Sequence, residues 1–270
     1  MGDGETPPAA GAVRPSRFER PGAVTFVFYV LALAFLIASV GSVDLSVDRL
    51  VHGVPRIGDL VGRMVPPDLS RLPSIGARLL ETFQMAVVGT VIGIAASLPL
   101  AILAAKGLSP HPLVYVSVRG LISLFRTVPD LIWALIFVIA VGLGPAAGTL
   151  ALAVDTVGFC GRFFAEAMEE TDKGPREALT ALGASRIGMV CSAVIPQALP
   201  SFINTSLFSL EKATRSSVVL GLVGAGGIGI ELKVAMDLFQ YRQAATIILA
   251  IFILVLVVER ASTWLRAKVL

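Results

Sequence analysis

The amino-acid sequence predicts an all-α integral membrane protein with about six spanning helices. Three observations carry that expectation. Of 270 residues, 55% are hydrophobic and only 15% are charged, against roughly a quarter charged in ordinary soluble domains, so a surplus of apolar surface must face a bilayer. Apolar runs long enough to cross about 30 Å of hydrocarbon recur along the chain. Between them, Lys and Arg gather in segments that one side of a membrane would hold.

Residues 1–20, rich in Pro, Gly and Ala, read as a disordered cytoplasmic tail. The first span covers residues 21–43: Ala23 to Val43 is uncharged and follows Arg14, Arg17 and Arg20. The run is longer than the apolar core of a signal peptide and no small-residue cleavage site follows it cleanly, so it reads as a retained span. In the external or interfacial segment 44–78, Leu50, Val54, Ile57, Leu60, Val61 and Met64 recur at helical spacing, with Arg49, Arg56 and Arg63 on another face. Pro55 is expected to interrupt a single long helix there. Two readings stand for this segment: an amphipathic helix lying in the membrane interface, or an external surface that attracts an anionic ligand or a binding protein.

Residues 79–270 hold the other five spans. Leu79–Ala105 is apolar apart from Glu81. Pro112–Leu143 carries Arg119, Arg126 and Asp130, and Pro129 within it is expected to kink the helix. Ala146–Met168 carries Asp155 and Arg162. Leu199–Val223 contains Glu211, Lys212 and Arg215 and escapes a strict hydropathy cut. The last span runs from Ala244 through Val258 to near Leu265 and ends in Arg260, Arg266 and Lys268. Six spans place both termini on one side, and the basic residues flanking them make that side the cytoplasm. Lys106, Lys173, Arg176 and Arg186 fall there too. The segment from Asp44 to Arg78 fits less well, since it would be external yet holds arginines interleaved with aspartates.

The polar stretch 169–198 reads as a helical hairpin outside the bilayer. Gly174-Pro175 suits a helix start, Glu177, Ala178, Leu179 and Leu182 are helix formers, and Gly183 stops the helix. Ser185 is placed to cap a second helix from Arg186, which Pro196 and Pro200 are expected to end.

Within this hairpin stand Glu177-Ala178-Leu179, then Gly183, then Ala193-Val194-Ile195-Pro196. This resembles the cytoplasmic motif of permease subunits of binding-protein-dependent ATP-binding-cassette importers: Glu-Ala-Ala, three residues, Gly, nine residues, Ile-x-Leu-Pro. The Glu, first Ala, Gly and Pro match at the family spacing; the third position is Leu, and the Ile-x-Leu stretch has become Ala-x-Ile. Leu80-Glu81-Thr82, Arg126-Thr127-Val128-Pro129-Asp130 and the run Gly221 to Gly229 resemble the phosphonate-uptake branch of these MetI-like permeases. The resemblance implies a bacterial inner-membrane subunit and a docking role for Glu177, Ala178, Leu179, Gly183, Ile195 and Pro196 toward a separate ATPase. It also implies an extracytoplasmic solute-binding protein and, with one docking loop per chain, a homodimer. Methionine and glycine-betaine permeases share the loop and the glycine run; the Arg126–Asp130 stretch leans toward phosphonate or phosphate.

Charges at membrane depth are expensive and mark functional candidates. At 1.5 Å per residue, Arg126 lies about 21 Å into its span from Pro112, and Glu211 about 18 Å from Leu199. Arg126 with Asp130, and Glu211 with Arg215, are each spaced to share a helix face. Arg126, Asp130, Glu211, Lys212 and Arg215 are therefore candidates for a translocation path or gate, because guanidinium groups bind phosphorus oxyanions by paired hydrogen bonds. The alternative is that they tie spans together. Asp155 is a candidate partner for one of these arginines.

Gly224, Gly226, Gly227 and Gly229 match a dinucleotide-binding pattern, but the acidic residue that pattern needs about 20 positions on is absent and no α/β alternation surrounds it. A flexible turn beside the translocation path fits better. No phosphate loop of the GxxxxGK[ST] type occurs, so ATP would be bound by a partner, and no catalytic residue, cofactor, metal or nucleic-acid partner is expected. His52 and His111 are the only histidines, and Cys160 and Cys191 have no metal-ligand spacing. Two competing functions are an ion-coupled secondary transporter, for which no repeat is found, and a membrane enzyme acting on lipid phosphate, which would need clustered acid or histidine ligands.

Overall fold

A computed structural model describes residues 22–42 and 46–269, and among these every regular element is helical. The expected N-terminal tail lies outside the described residues. The chain divides into two compact units, Met1–Asp59 and Leu60–Leu270.

The first unit holds α1 (Ala23–Ser42) and most of α2 (Val47–Met64). α1 leaves its apolar side chains uncovered, Val24, Phe28 and Phe35 among them, as a lipid-facing span does. α2 runs through Pro55 without a break, contrary to expectation: the ring removes one backbone bond, and the turns on either side keep theirs. Its apolar Val51, Val54 and Ile57 are exposed.

The second unit is built around α6 (Pro145–Glu169), against which α3 (Leu72–Ala104), α4 (Pro112–Thr127), α5 (Asp130–Val141) and α9 (Ile195–Gly221) pack. Close packing in a bilayer relies on small residues rather than on hydrophobic exclusion. At Gly93 of α3 a Cβ would stand 2.4 Å from Cβ of Thr156 on α6, and at Gly158 of α6 it would stand 2.7 Å from the Arg126 nitrogen of α4. α7 (Lys173–Ala181), α8 (Arg186–Met189), α10 (Ile228–Asp237) and α11 (Tyr241–Val269) complete the unit. Among the described residues five helices are long and apolar enough to cross a membrane, or six if α4 and α5, bent by 91° at the break between them, count as one span.

That bend exceeds the expected kink. Val128 is extended (φ −78°, ψ 121°), as the residue before a proline prefers, and Pro129 (φ −55°, ψ 143°) caps α5 instead of sitting inside a helix. Two non-helical residues therefore turn the chain.

Three buried clusters lie along the bundle. Phe164 of α6 meets Phe202 of α9 with ring centroids 4.5 Å apart at the end near α7. Met85, Leu152 and Leu220 form the middle. Ile75, Ile228 and Ile247 close the far end. There the connector after α2 is stitched to α11: the Asp68 N–H donates to the Arg242 carbonyl (3.1 Å), Thr246 Oγ1 donates to the Asp68 carbonyl (2.7 Å), and Arg242 Nε donates to the Pro66 carbonyl (2.8 Å).

Candidate functional site

The hairpin forms as the sequence suggests, with two changes. Asp172 caps α7, its carboxylate accepting from the Gly174 N–H at 3.1 Å. The helix therefore starts at Lys173 and Pro175 lies in the first turn, where its missing donor is no loss. Gly183 takes the left-handed conformation (φ +79°) that a side chain resists. Its N–H donates to the Thr180 carbonyl and the Ala184 N–H to the Leu179 carbonyl, both at 3.0 Å, which satisfies the orphan carbonyls of the helix end. Ser185 Oγ accepts from the Gly188 N–H at 3.1 Å and starts α8.

The second change concerns Pro196 and Pro200, which do not end this helix. α8 passes through a π-helical segment, Val190–Val194, directly into α9. The Ile195 N–H bonds to the Val190 carbonyl, five residues back. The widened turn moves the backbone register where Pro196 can offer no donor. One helical run, Arg186–Gly221, thus joins the hairpin to the bilayer interior.

Glu177 and Ala178 are exposed, Leu179 and Ile195 are half-buried, and Pro196 is exposed. Leu182 and Ile187 stand 83% and 79% exposed at the hairpin tip. The base is held firmly. Glu169 Oε1 accepts from the Lys106 N–H (2.6 Å) and from Arg119 Nη2 (2.8 Å), and Gln197 Oε1 accepts from the Asp172 N–H (3.0 Å). A cleft of about 850 Å³ opens beside α7, lined by Lys106, Glu169, Lys173, Arg176 and Glu177 among others.

The second feature is an unburied face on α6 and α9 at mid-span. On α6, Asp155, Phe159 and Phe163 follow at helical spacing. On α9, Ser201, Asn204, Phe208 and Arg215 are exposed and Lys212 is half-buried. Lys212 Nζ donates to both Asp155 oxygens at 2.8 Å and lies 5.4 Å from the Phe159 ring centre. Phe159 stacks on Phe208 (5.6 Å) and touches Phe163 (4.7 Å), over which the Arg126 guanidinium sits at 5.6 Å. Arg126 and Lys212 therefore flank one aromatic row, and exposed Arg215 follows one turn further along α9.

The two expected charge pairs do not form. The break at Pro129 puts Arg126 and Asp130 on different helices, and Asp130 accepts from the Leu131 N–H at the start of α5 (2.9 Å), where a helix dipole favours an acid. Glu211 turns to the packed side of α9 and pairs with Arg266 of α11, not with Arg215. Asp155 does find an interhelical partner, but it is Lys212 and not an arginine. Among the described residues Arg215 has no carboxylate partner.

The glycine run is a packed turn rather than a flexible one, at the end of α9 away from the hairpin. Gly224, Gly226 and Gly227 have positive φ. A Cβ at Gly226 would stand 2.7 Å from the Pro145 backbone, and one at Gly229 2.1 Å from the Val218 carbonyl. Ala225 to Gly229 are buried. The turn is pinned to α3, since Glu81 Oε1 accepts from the Gly227 N–H (3.2 Å) and Thr82 Oγ1 from the Ile228 N–H (2.7 Å). Two of the sequence's motif stretches thus meet as acceptors and donors at the start of α10, a helix that sequence reasoning missed; the last span correspondingly begins at Tyr241. The aromatic row was also missed, although Asp155, Phe159 and Phe163 at i, i+4 and i+8 signal a shared face.

Residues 97–270 match the family of binding-protein-dependent transport system inner membrane components. The chain is 42% identical over 245 residues to the phosphite transport system permease protein PtxC of Stutzerimonas stutzeri, covering 91% of this chain and 88% of that one. It is 41% identical over 215 residues to the phosphate-import permease protein PhnE of Mycolicibacterium smegmatis, covering 79% of this chain and 40% of that longer protein. Among solved structures, a chain of the inward-facing MetNI methionine ABC transporter superposes with a TM-score of 0.66 at 25% identity, covering 74% of this chain and 99% of that one. The chain belongs to the binding-protein-dependent permease family: it is a multi-pass membrane protein and a transport permease subunit of the MetI-like fold.

Proposed function

We propose that this permease forms the path for a small phosphorus oxyanion (phosphite, phosphonate or phosphate) in an ATP-binding-cassette importer. The observation that carries the reading is the cationic face at mid-span formed by Arg126 of α4 with Lys212 and Arg215 of α9, a helix that also exposes Ser201 and Asn204. A polar, charged stripe at that depth is too costly to face lipid. A second copy of the chain, each presenting its α9, encloses the stripe as an aqueous path. The similarity to phosphite and phosphate permeases supports the same substrate class.

The α7–α8 hairpin docks a separate ATPase through Glu177, Ala178, Leu179, Gly183, Ile195 and Pro196, with exposed Leu182 and Ile187 as apolar anchors. Because α8 continues into α9, a displacement of the hairpin is passed along one helix to Lys212 and Arg215. The π segment is the compliant point in that lever, since its wide turn is the least regular part of the run. The basic residues around the hairpin and at the end of α11 support the reading that both lie on the cytoplasmic side. A solute-binding protein delivers the anion at the opposite end, where the glycine turn and α10 lie.

Uptake of labelled phosphite into proteoliposomes holding the chain, its ATPase and its binding protein tests the reading. Arg215→Gln is expected to slow uptake strongly while leaving assembly intact. Undiminished uptake by a folded Arg215→Gln assembly refutes the path assignment.

A further inference from the structure

We propose that Asp155 is a resident counter-anion, competing with the passing oxyanion for Lys212 and so keeping the path from retaining its cargo. This rests on the oxyanion reading above.

The placement of the two groups is asymmetric. The Asp155 side chain is 13% exposed and that of Lys212 is 35% exposed, so the carboxylate stands behind the ammonium, which faces the open side. An ammonium on a four-carbon stem can turn from one anion to another without moving its helix. Phe159, 5.4 Å from Nζ, stabilises the cation during the exchange.

The other intramembrane pair is built differently. Glu211 and Arg266 are 9% and 25% exposed and meet where α9 packs against α11. That pair ties α9 to α11. The Asp155–Lys212 pair borders the face that also carries Arg215.

Charge balance gives the arrangement its consequence. With the pair closed, Lys212 and Asp155 cancel, and Arg126 and Arg215 present the charge to the path. An arriving oxyanion that draws Lys212 away meets two cations one helical turn apart. Two permanently free cations in a low-dielectric wall would bind a dianion too well to let it go, whereas transport needs sites loose enough to leave. Asp155, fixed on α6, reclaims Lys212 as the anion departs.

The test is equilibrium binding of inorganic phosphate and of phosphite to the nucleotide-free permease–ATPase assembly in nanodiscs, together with ATP-driven uptake. Asp155→Asn is expected to tighten retention by about tenfold, within the usual range of coupling between two ligands, and to slow uptake. Lys212→Gln is expected to weaken retention, and the double variant Asp155→Asn/Lys212→Gln to lose the gain that Asp155→Asn gives alone. A pair that merely ties α6 to α9 makes both single variants lower the thermal midpoint alike and shift retention in the same direction; that result overturns the proposal. Should Asp155→Asn fail to assemble, Asp155→Ser replaces it. Asp155→Ser, which keeps a hydroxyl but no charge beside Lys212, should likewise raise retention above wild type, and retention at or below wild type overturns the proposal. An assembly whose wild type neither binds nor moves any oxyanion removes the oxyanion reading, and this proposal falls with it.

Discussion

Replacing Gly183 with Ala tests how the hairpin is held. Gly183 has φ +79°, and a Cβ there would meet nothing within 4 Å, so the substitution adds conformational strain without a steric clash. Holding an alanine in the left-handed region costs about 1–2 kcal/mol. The cost falls on the docked state, because the free hairpin can relax by giving up the bonds from Gly183 to Thr180 and from Ala184 to Leu179. A penalty of that size weakens ATPase docking by about 5- to 30-fold, since apparent affinity scales with the population of the competent form. Asparagine tolerates the left-handed region and should recover most of the loss. The assay is titration of the purified ATPase onto permease in nanodiscs, with the thermal midpoint of the permease unchanged. Equal affinity for the wild type and Gly183→Ala refutes the reasoning, as does Gly183→Asn binding as poorly as Gly183→Ala.

Thr82→Val removes the buried acceptor of the Ile228 N–H and is expected to cost about 1–3 kcal/mol, read as a lower thermal midpoint in detergent. Glu211→Gln should lower that midpoint by loosening α9 from α11, a loss of about 1.5–3 kcal/mol, whereas Arg215→Gln should leave it nearly unchanged and impair uptake. Gly93→Ala puts a Cβ 2.8 Å from the Ala153 carbonyl and should destabilise by about 1–3 kcal/mol through overpacking, while Gly120→Ala, with nothing near its Cβ, should not. Asp68 titrates below its usual 3.8, held chiefly by the hydrogen bond from the Ser70 N–H. A depressed carboxylate stabilises above its unfolded pKa, so the turn that the Asp68 carboxylate holds at Ser70 should persist down to about pH 4 and loosen on further acidification, read as faster amide exchange at Ser70.

Much of the fold was legible because bilayer physics leaves few options: a long apolar run has to be a helix, and Leu79–Ala105, Ala146–Met168 and Ala244–Leu265 all became one. The hairpin was legible because Gly183 and Ser185 carry local backbone rules that act irrespective of tertiary context. Prolines misled in both directions. Pro129 broke its span because Val128 and Pro129 both left helical geometry, whereas Pro55 stayed inside a helix and Pro196 and Pro200 were absorbed near a π turn.

Charge pairing was the least legible part. Spacing along one helix says which side chains share a face, but the guanidinium that reaches Glu211 comes from α11, 55 residues away, and the cation that reaches Asp155 comes from α9, 57 away. Those partners depend on how whole helices pack. Likewise, Glu81 and Thr82 became intelligible only when the structure set them 146 residues away against Gly227 and Ile228.

The central claim is that this permease couples a separate ATPase to the entry of a phosphorus oxyanion through the hairpin and α9. The most direct measurement is ATP hydrolysis by the reconstituted permease–ATPase assembly, with the binding protein added empty, loaded with phosphite, phosphate or methylphosphonate, or replaced by a methionine-loaded one. Stimulation by an oxyanion-loaded form, lost when Glu177→Lys is introduced in the hairpin, is the predicted result. Stimulation by methionine alone, or oxyanion uptake that follows a proton gradient without ATP, would contradict it.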